Sequence, residues 1–145
     1  MLSKKAQYSI YALMHLAREY NNGPVLISNI AEKEKLPKKF LEAILLDLKN
    51  YGVVMSKKGK GGGYYLKKSP EEINLAEVIR LFDGAIALLP CATYKYYEAC
   101  AFCRDENTCG IRSVIKDLRD ETVNILKGTS LADILKREAK LSRKK

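Results

Sequence analysis

The chain has 145 residues, 47% of them hydrophobic, and a formal charge of +9 from 26 Lys and Arg against 17 Asp and Glu. That length allows one domain, or a small domain with an oligomerisation arm, and the apolar fraction argues against disorder. The positive excess points to a polyanionic partner, with nucleic acid favoured over a membrane because no Lys/Arg-rich helix carries a strong apolar face.

No apolar run reaches about eighteen residues, and Met1-Leu2-Ser3-Lys4-Lys5 holds no signal-peptide core, so a cytoplasmic protein is expected. Residues 3–20 place Ile10, Leu13, Met14 and Ala17 at helical spacing, and Asn21-Asn22-Gly23-Pro24 stops that helix. His15, the single histidine, reads as a surface or packing residue within it. Ser28 offers an N-cap for a helix to about Glu34, Lys35-Leu36 makes a tight turn, and Pro37 suits the start of a helix to about Asn50. That second helix is expected to bury Phe40, Leu41, Ile44, Leu45 and Leu48, and the pair fits a helix-turn-helix.

Tyr51-Gly52 ends the pair. Val53-Val54-Met55-Ser56 and Tyr64-Tyr65-Leu66 then read as strands flanking Lys57-Lys58-Gly59-Lys60-Gly61-Gly62-Gly63. A hairpin tip of lysine and glycine suits a DNA-binding wing, since glycine permits close backbone approach and lysine supplies counter-charge for phosphate; a solvated hairpin tip is the alternative. A helix is expected over Leu75–Phe82, closed by Asp83-Gly84, another from Gly110 to about Lys127, and a short last one after Thr129-Ser130. The expected organisation is a DNA-binding domain at 1–84, a cysteine-rich loop at 85–109, helices at 110–138 and a basic tail at 139–145.

All four cysteines, Cys91, Cys100, Cys103 and Cys109, lie in the loop, in the pattern Cys-x8-Cys-x2-Cys-x5-Cys. In a reducing compartment such a cluster points to metal ligation or redox chemistry rather than structural disulfides. Soft thiolates select an iron–sulfur cluster, Zn²⁺ or Cu(I), and a thiol–disulfide pair at Cys100 and Cys103 is a further reading. Nothing points to an enzyme: the glycines sit in a hairpin rather than a phosphate-binding loop, and Cys100-Ala101-Phe102-Cys103 does not open a helix after a strand.

Ser56-Lys57-Lys58-Gly59-Lys60-Gly61-Gly62-Gly63-Tyr64 resembles the wing signature Ser-x-Arg-Gly-x-x-Gly-Gly-Tyr of the bacterial winged-helix regulators that hold iron–sulfur clusters. These include the iron–sulfur-assembly (Isc) repressor, the nitric-oxide-sensing repressor and the cysteine-metabolism repressor. Ile30-Ala31-Glu32, Phe40-Leu41-Glu42 and Leu48 to Val54 fall where that family has its helix-turn-helix residues, and the resemblance spans about residues 1–135. It implies a mainly α fold with a small β-hairpin wing, a winged helix-turn-helix followed by a long C-terminal dimerisation helix. It also implies a homodimer, an operator in double-stranded DNA, repression, and control by a [2Fe–2S] or [4Fe–4S] cluster sensing redox, nitric oxide or iron–sulfur status; some relatives answer to a protein partner. Zinc is the alternative cofactor.

Three departures stand out. Lys58 replaces the wing arginine, keeping charge but losing a bidentate fork. Arg112 stands where many members have a histidine ligand, and Tyr8 stands near where others supply an acidic one. Cys91, Cys103 and Cys109 match the family's three cysteines, leaving Cys100 as the local candidate for the fourth ligand. For DNA, Lys38, Lys39 and Glu42 are expected at base edges, Lys57, Lys58, Lys60 and Gly61 at the wing, and Ser3, Lys4, Lys5, Tyr8 and Ser28 near phosphates.

Overall fold

Ser3 starts the first helix, its hydroxyl accepting from the Ala6 amide at 3.0 Å. In the computed structural model, which describes residues 1–145, this helix α1 covers Lys4–Arg18 and buries Leu13, Met14, Leu16 and Ala17. Helix α2, Ile27–Lys33, follows with Leu26 at its N-cap. Ser28 is therefore inside the first turn rather than capping it. The cause is upstream: Val25 exchanges two 2.8 Å backbone hydrogen bonds with Tyr64, and this bridge fixes where the chain turns into the helix.

Lys35 takes a positive φ of 53° in the turn to α3, Lys38–Asn50, with Pro37 at the N-cap. Leu41, Ile44, Leu45 and Leu48 are buried, as their spacing predicts, but Phe40 is 62% exposed. One residue before Leu41 is a rotation of about 100° away from the inner face. Phe40 instead meets Tyr8 of α1 edge-on, with ring centroids 6.5 Å apart.

The hairpin pairs β1, Val54–Lys57, antiparallel with β2, Gly63–Leu66, with Val54 opposite Leu66 and Lys57 opposite Gly63. Both strands are shifted or extended by one residue relative to the sequence expectation. Ser69 and Glu72 then form a capping box, and Asn74 caps α4, Leu75–Asp83. Gly84 ends α4 at φ 76°. The chain from there to Cys109 is irregular apart from two single 3₁₀ turns, Pro90–Ala92 and Glu106–Thr108.

Helix α5, Gly110–Lys127, stands apart from the core: its one buried residue is Arg119. After Gly128, Ser130 and Asp133 form a capping box that opens α6, Leu131–Arg143. The basic tail expected at 139–145 is thus mostly the end of a helix. Arg18 of α1 holds Glu138 through two 3.0 Å contacts, and Lys140 and Arg143 in the last turn suit the negative end of the helix dipole. Leu131 is fully buried in the same core as α1 and α3, so α6 packs with the DNA-binding half. His15 is a packing residue, buried on α1 with Nδ1 2.9 Å from Glu34 Oε1. The fold class is as expected: mainly α, with one two-stranded hairpin. No helix is long and apolar enough to cross a membrane.

Candidate nucleic-acid interface and cysteine segment

Lys38 and Lys39 form the first turn of α3, and Glu42 follows one turn on; all three are exposed. The free amides of that first turn add the partial positive charge of a helix N-terminus. Lys57, Lys58, Lys60 and Gly61 are exposed at the hairpin tip, where Gly59 and Gly61 turn the chain at φ 89° and 73°. None of Lys4, Lys38, Lys39, Lys57, Lys58 and Lys60 belongs to any of the chain's ion pairs, which leaves their charge available to phosphate. Ser28 is exposed in the first turn of α2.

Three expected phosphate contacts already have internal roles. Ser3 caps α1, and its amide donates to Asp83 Oδ2 at 2.9 Å while its hydroxyl donates to Asp83 Oδ1. Lys5 pairs with Asp47 of α3 at 2.7 Å and lies over the Phe82 ring. Tyr8 is half-buried against Phe40. One coupling was not foreseen: Lys49 of α3 donates to the Ser56 hydroxyl of β1 at 2.7 Å, tying the recognition helix to the wing. Lysine seven residues before serine carries no signal of its own until the hairpin register brings them together.

The cysteine segment is anchored to α5 by arginine. Arg119, 5% exposed, donates to the Ala92 carbonyl, to the Tyr94 hydroxyl at 2.7 Å and to Asp120 at 2.9 Å. Its guanidinium also lies 3.9 Å from the Tyr94 ring centroid. Arg112, which stands at the histidine position of the family pattern, donates from Nε to the Cys91 carbonyl at 3.0 Å. These two arginines, one turn pair apart on α5, hold 91–94 against that helix; in sequence they are merely two charges on a charged helix.

All four cysteines are free thiols. Cys91 is 5% exposed, and Cys109 caps α5, its Sγ accepting from the Arg112 amide at 3.4 Å. Backbone amides of Phe102 and Cys103 aimed at Cys100 hold its pKa below the ordinary thiol value. Lost hydration, and then the charge of Cys100, push Cys103 upward, and the Cys109 thiolate adds to that. The donor set is right in kind and number for an iron–sulfur cluster or zinc: four soft thiolates on one irregular segment. In this conformation, however, no three of them, or of nearby acids and His15, approach closely enough to share a metal ion. The segment holds suitable ligands in an open arrangement.

The chain is 38% identical over 138 residues to a protein of Rhodobacter capsulatus assigned as an rrf2-like HTH-type transcriptional regulator, covering 93% of this chain and 92% of the relative. Among solved structures it is similar to CymR, the global cysteine regulator of B. subtilis, with a TM-score of 0.78 and 28% identity over 92% of this chain and 95% of that one. It is also similar to IscR of T. potens, with a TM-score of 0.75 and 27% identity over 95% of this chain and 88% of that one. These relatives are regulators and not enzymes. The Rrf2 family model, described as an iron-dependent transcriptional regulator, matches residues 2–137. Match and winged-helix geometry agree along almost the whole chain: it belongs to the Rrf2 family and is a DNA-binding transcriptional regulator.

Proposed function

We propose that the protein acts as a homodimeric repressor whose affinity for a roughly palindromic operator is set by an iron–sulfur cluster held by Cys91, Cys103, Cys109 and Cys100. The observation that carries this reading is the placement of the cysteine segment, hung between α4 of the DNA-binding half and the first turn of α5. Cys91 is fixed to α5 through its carbonyl and Cys109 is the cap of that helix, so both ends of the ligand set sit on one rigid element. When bound, an iron–sulfur cluster supplies a redox-responsive crosslink among the four thiolates. Arg112 and Arg119 keep the start of the segment in place, and Lys95, Arg104 and Arg112 offset negative charge on the thiolates. Restraining 91–109 against α5 alters how the two recognition helices of a dimer are set, a coupling worth roughly 1–3 kcal/mol, or about 5- to 150-fold in operator affinity.

Anaerobic purification with iron and sulfide analysis tests the reading. The expected result is visible absorption, operator affinity that changes on reconstitution within the range above, and loss of colour in Cys100→Ser. A colourless protein with stoichiometric zinc would replace the cluster with a structural metal. A second reading rests on the closeness of two free thiols, Cys100 and Cys103, three residues apart on the irregular segment, with Cys103 Sγ 4.0 Å from the Cys100 carbonyl oxygen. A peroxide-class oxidant would take two electrons and two protons from this pair to leave a disulfide. It predicts that operator affinity of the metal-free protein responds to peroxide and that Cys100→Ser abolishes the response.

DNA contact is proposed through Lys38, Lys39 and Glu42 in the major groove, through Lys57, Lys58, Lys60 and Gly61 at the backbone or minor groove, and through Lys4 and Ser28 at phosphates. Ser3, Lys5 and Tyr8 shape this surface from behind while remaining near it. Replacing Lys58 and Lys60 with alanine is expected to lower the slope of log affinity against log salt by roughly 2 per bound protomer. An unaltered slope would remove the wing from the interface.

A further inference from the structure

A cavity of about 960 Å³ forms a half-open cleft between α4, the start of the cysteine segment and α5. It lies away from the first turn of α3, the part of the surface assigned above to base contact. Tyr51, which caps the C-terminal end of α3, forms part of its wall, and the helix separates that end from Lys38 by about 18 Å. Its volume is within the range of small-molecule sites, roughly 300–1,000 Å³.

Two kinds of side chain stand out in its wall, beside the aliphatic Leu81, Ala85, Ile86 and Val123. Arg80, Lys95 and Lys127 come from α4, the cysteine segment and α5, and none of them has a carboxylate partner. The one acid in the wall, Glu77, is already met by Lys68 at 3.4 Å. Tyr51, Tyr94 and Tyr96 supply aromatic surface, all three exposed rather than packed in the core. Tyr94 is held in place by Arg119, which lies on its ring and donates to its hydroxyl. Unpaired cations select an anion and rings select a flat body, so either fragment alone would use half the wall.

The cleft also survives the dimer proposed above. Ile111, Val114, Leu118 and Ile125 form the exposed stripe of α5, whereas Arg119, Val123 and Lys127 face the cleft. At about 100° per residue these two sets are centred roughly 150° apart on the helix. Covering one face leaves the other open.

We propose that this cleft is a binding site for a nucleoside monophosphate, with the base against the tyrosines and the phosphate among Arg80, Lys95 and Lys127. The occupant joins the end of the recognition helix, α4 and α5 in one contact, so it is placed to act on the regulator without touching a cysteine.

Calorimetric titration of the full chain with AMP, GMP, CMP and UMP, beside inorganic phosphate and the parent nucleosides, tests this. The expected result is saturable binding of at least one monophosphate, one per protomer, tenfold or more tighter than its nucleoside or phosphate alone. Arg80→Ala with Lys127→Ala weakens it at least tenfold, and hydrogen exchange slows at 84–96 on binding. Lys95→Ala, on the irregular segment, gives the same loss without touching a helix, which guards against a folding defect in the double variant. Saturating duplex operator leaves the nucleotide bound. Absence of saturable binding by all four nucleotides, equal binding of phosphate alone, wild-type affinity in both variants, or displacement by the duplex would each overturn the proposal. Because the measurement needs neither cluster nor operator response, it stands or falls apart from the cysteine chemistry.

Discussion

Replacing Leu118 with aspartate is expected to convert the protein to a monomer and to weaken binding to a full palindromic operator by two to four orders of magnitude. Helix α5 buries almost nothing against its own chain, yet Ile111, Val114, Leu118 and Ile125 share one stripe on it and all are exposed. The stripe spans fifteen residues, about 21 Å of helix from first to last. Apolar side chains so aligned are stable only when another surface covers them, and a two-fold mate presents the same stripe. Burying a leucine contributes roughly 1.5–3 kcal/mol. A two-fold axis doubles each substitution, so Leu118→Asp removes two leucines and buries two carboxylates. A loss above about 4 kcal/mol raises the dimer dissociation constant at least a thousandfold. The operator effect follows because the second half-site is no longer reached intramolecularly, a gain of about 10²–10⁴ when two readers are linked. Sedimentation velocity reads the first effect and titration against full and single half-sites the second. Half-site affinity should stay the same, which separates lost pairing from lost folding. A variant that remains dimeric would place the subunit interface elsewhere.

The helix pair and the hairpin were legible because their information is local. Spacing of Leu41, Ile44, Leu45 and Leu48 defines a face, and Gly52 and the lysine–glycine run mark where the chain turns. Phe40 shows the limit of reading residue type alone. Its ring favours burial, but its angular place on α3 puts it outside, and only the partner helix shows that Tyr8 meets it there. Ser28 is a good N-cap by chemistry, yet the helix start is decided by the Val25–Tyr64 bridge, whose second member lies 39 residues on in the hairpin. The last helix runs further than its composition suggests, because Lys140, Arg143 and their neighbours look like a solvated tail; Arg18 and Glu138, far apart in sequence, dock it. Among the site residues, the cysteines announce their chemistry by type and density, whereas their approach to one another depends on the path of an irregular segment. Arg119 gave no sign. A buried arginine on a charged helix is visible only once the Ala92 carbonyl and Tyr94 are seen to fill its donors.

Gly63→Ala should be among the damaging single methyls in the wing, costing about 3 kcal/mol or more and lowering the melting temperature by roughly 6–12 °C. Glycine 63 adopts φ 144°, and a Cβ there would stand 2.3 Å from the Val25 carbonyl oxygen and 2.5 Å from its carbon. Those are backbone atoms, and they cannot retreat cheaply. Val25 and Tyr64 exchange both of their hydrogen bonds at 2.8 Å immediately beside the collision, so relief requires breaking the bridge. Overpacking alone costs typically 1–3 kcal/mol, and the unfavourable φ adds a further cost of order 1–2 kcal/mol. Gly61 provides the contrast within the same motif. It too has a positive φ, 73°, but a Cβ there meets nothing within 4 Å, so Gly61→Ala should cost only about 1–2 kcal/mol from backbone strain. Thermal unfolding of the two variants, followed by circular dichroism, compares them directly. The glycines of the tip thus have different duties: Gly61 shapes an exposed turn that DNA can approach, while Gly63 lets the hairpin dock on the entry to α2. Because that docking sets the wing against the helix-turn-helix, Gly63→Ala should weaken operator binding even at temperatures where the chain stays folded, whereas equal stability of the two variants would mean the wing is not held by the bridge.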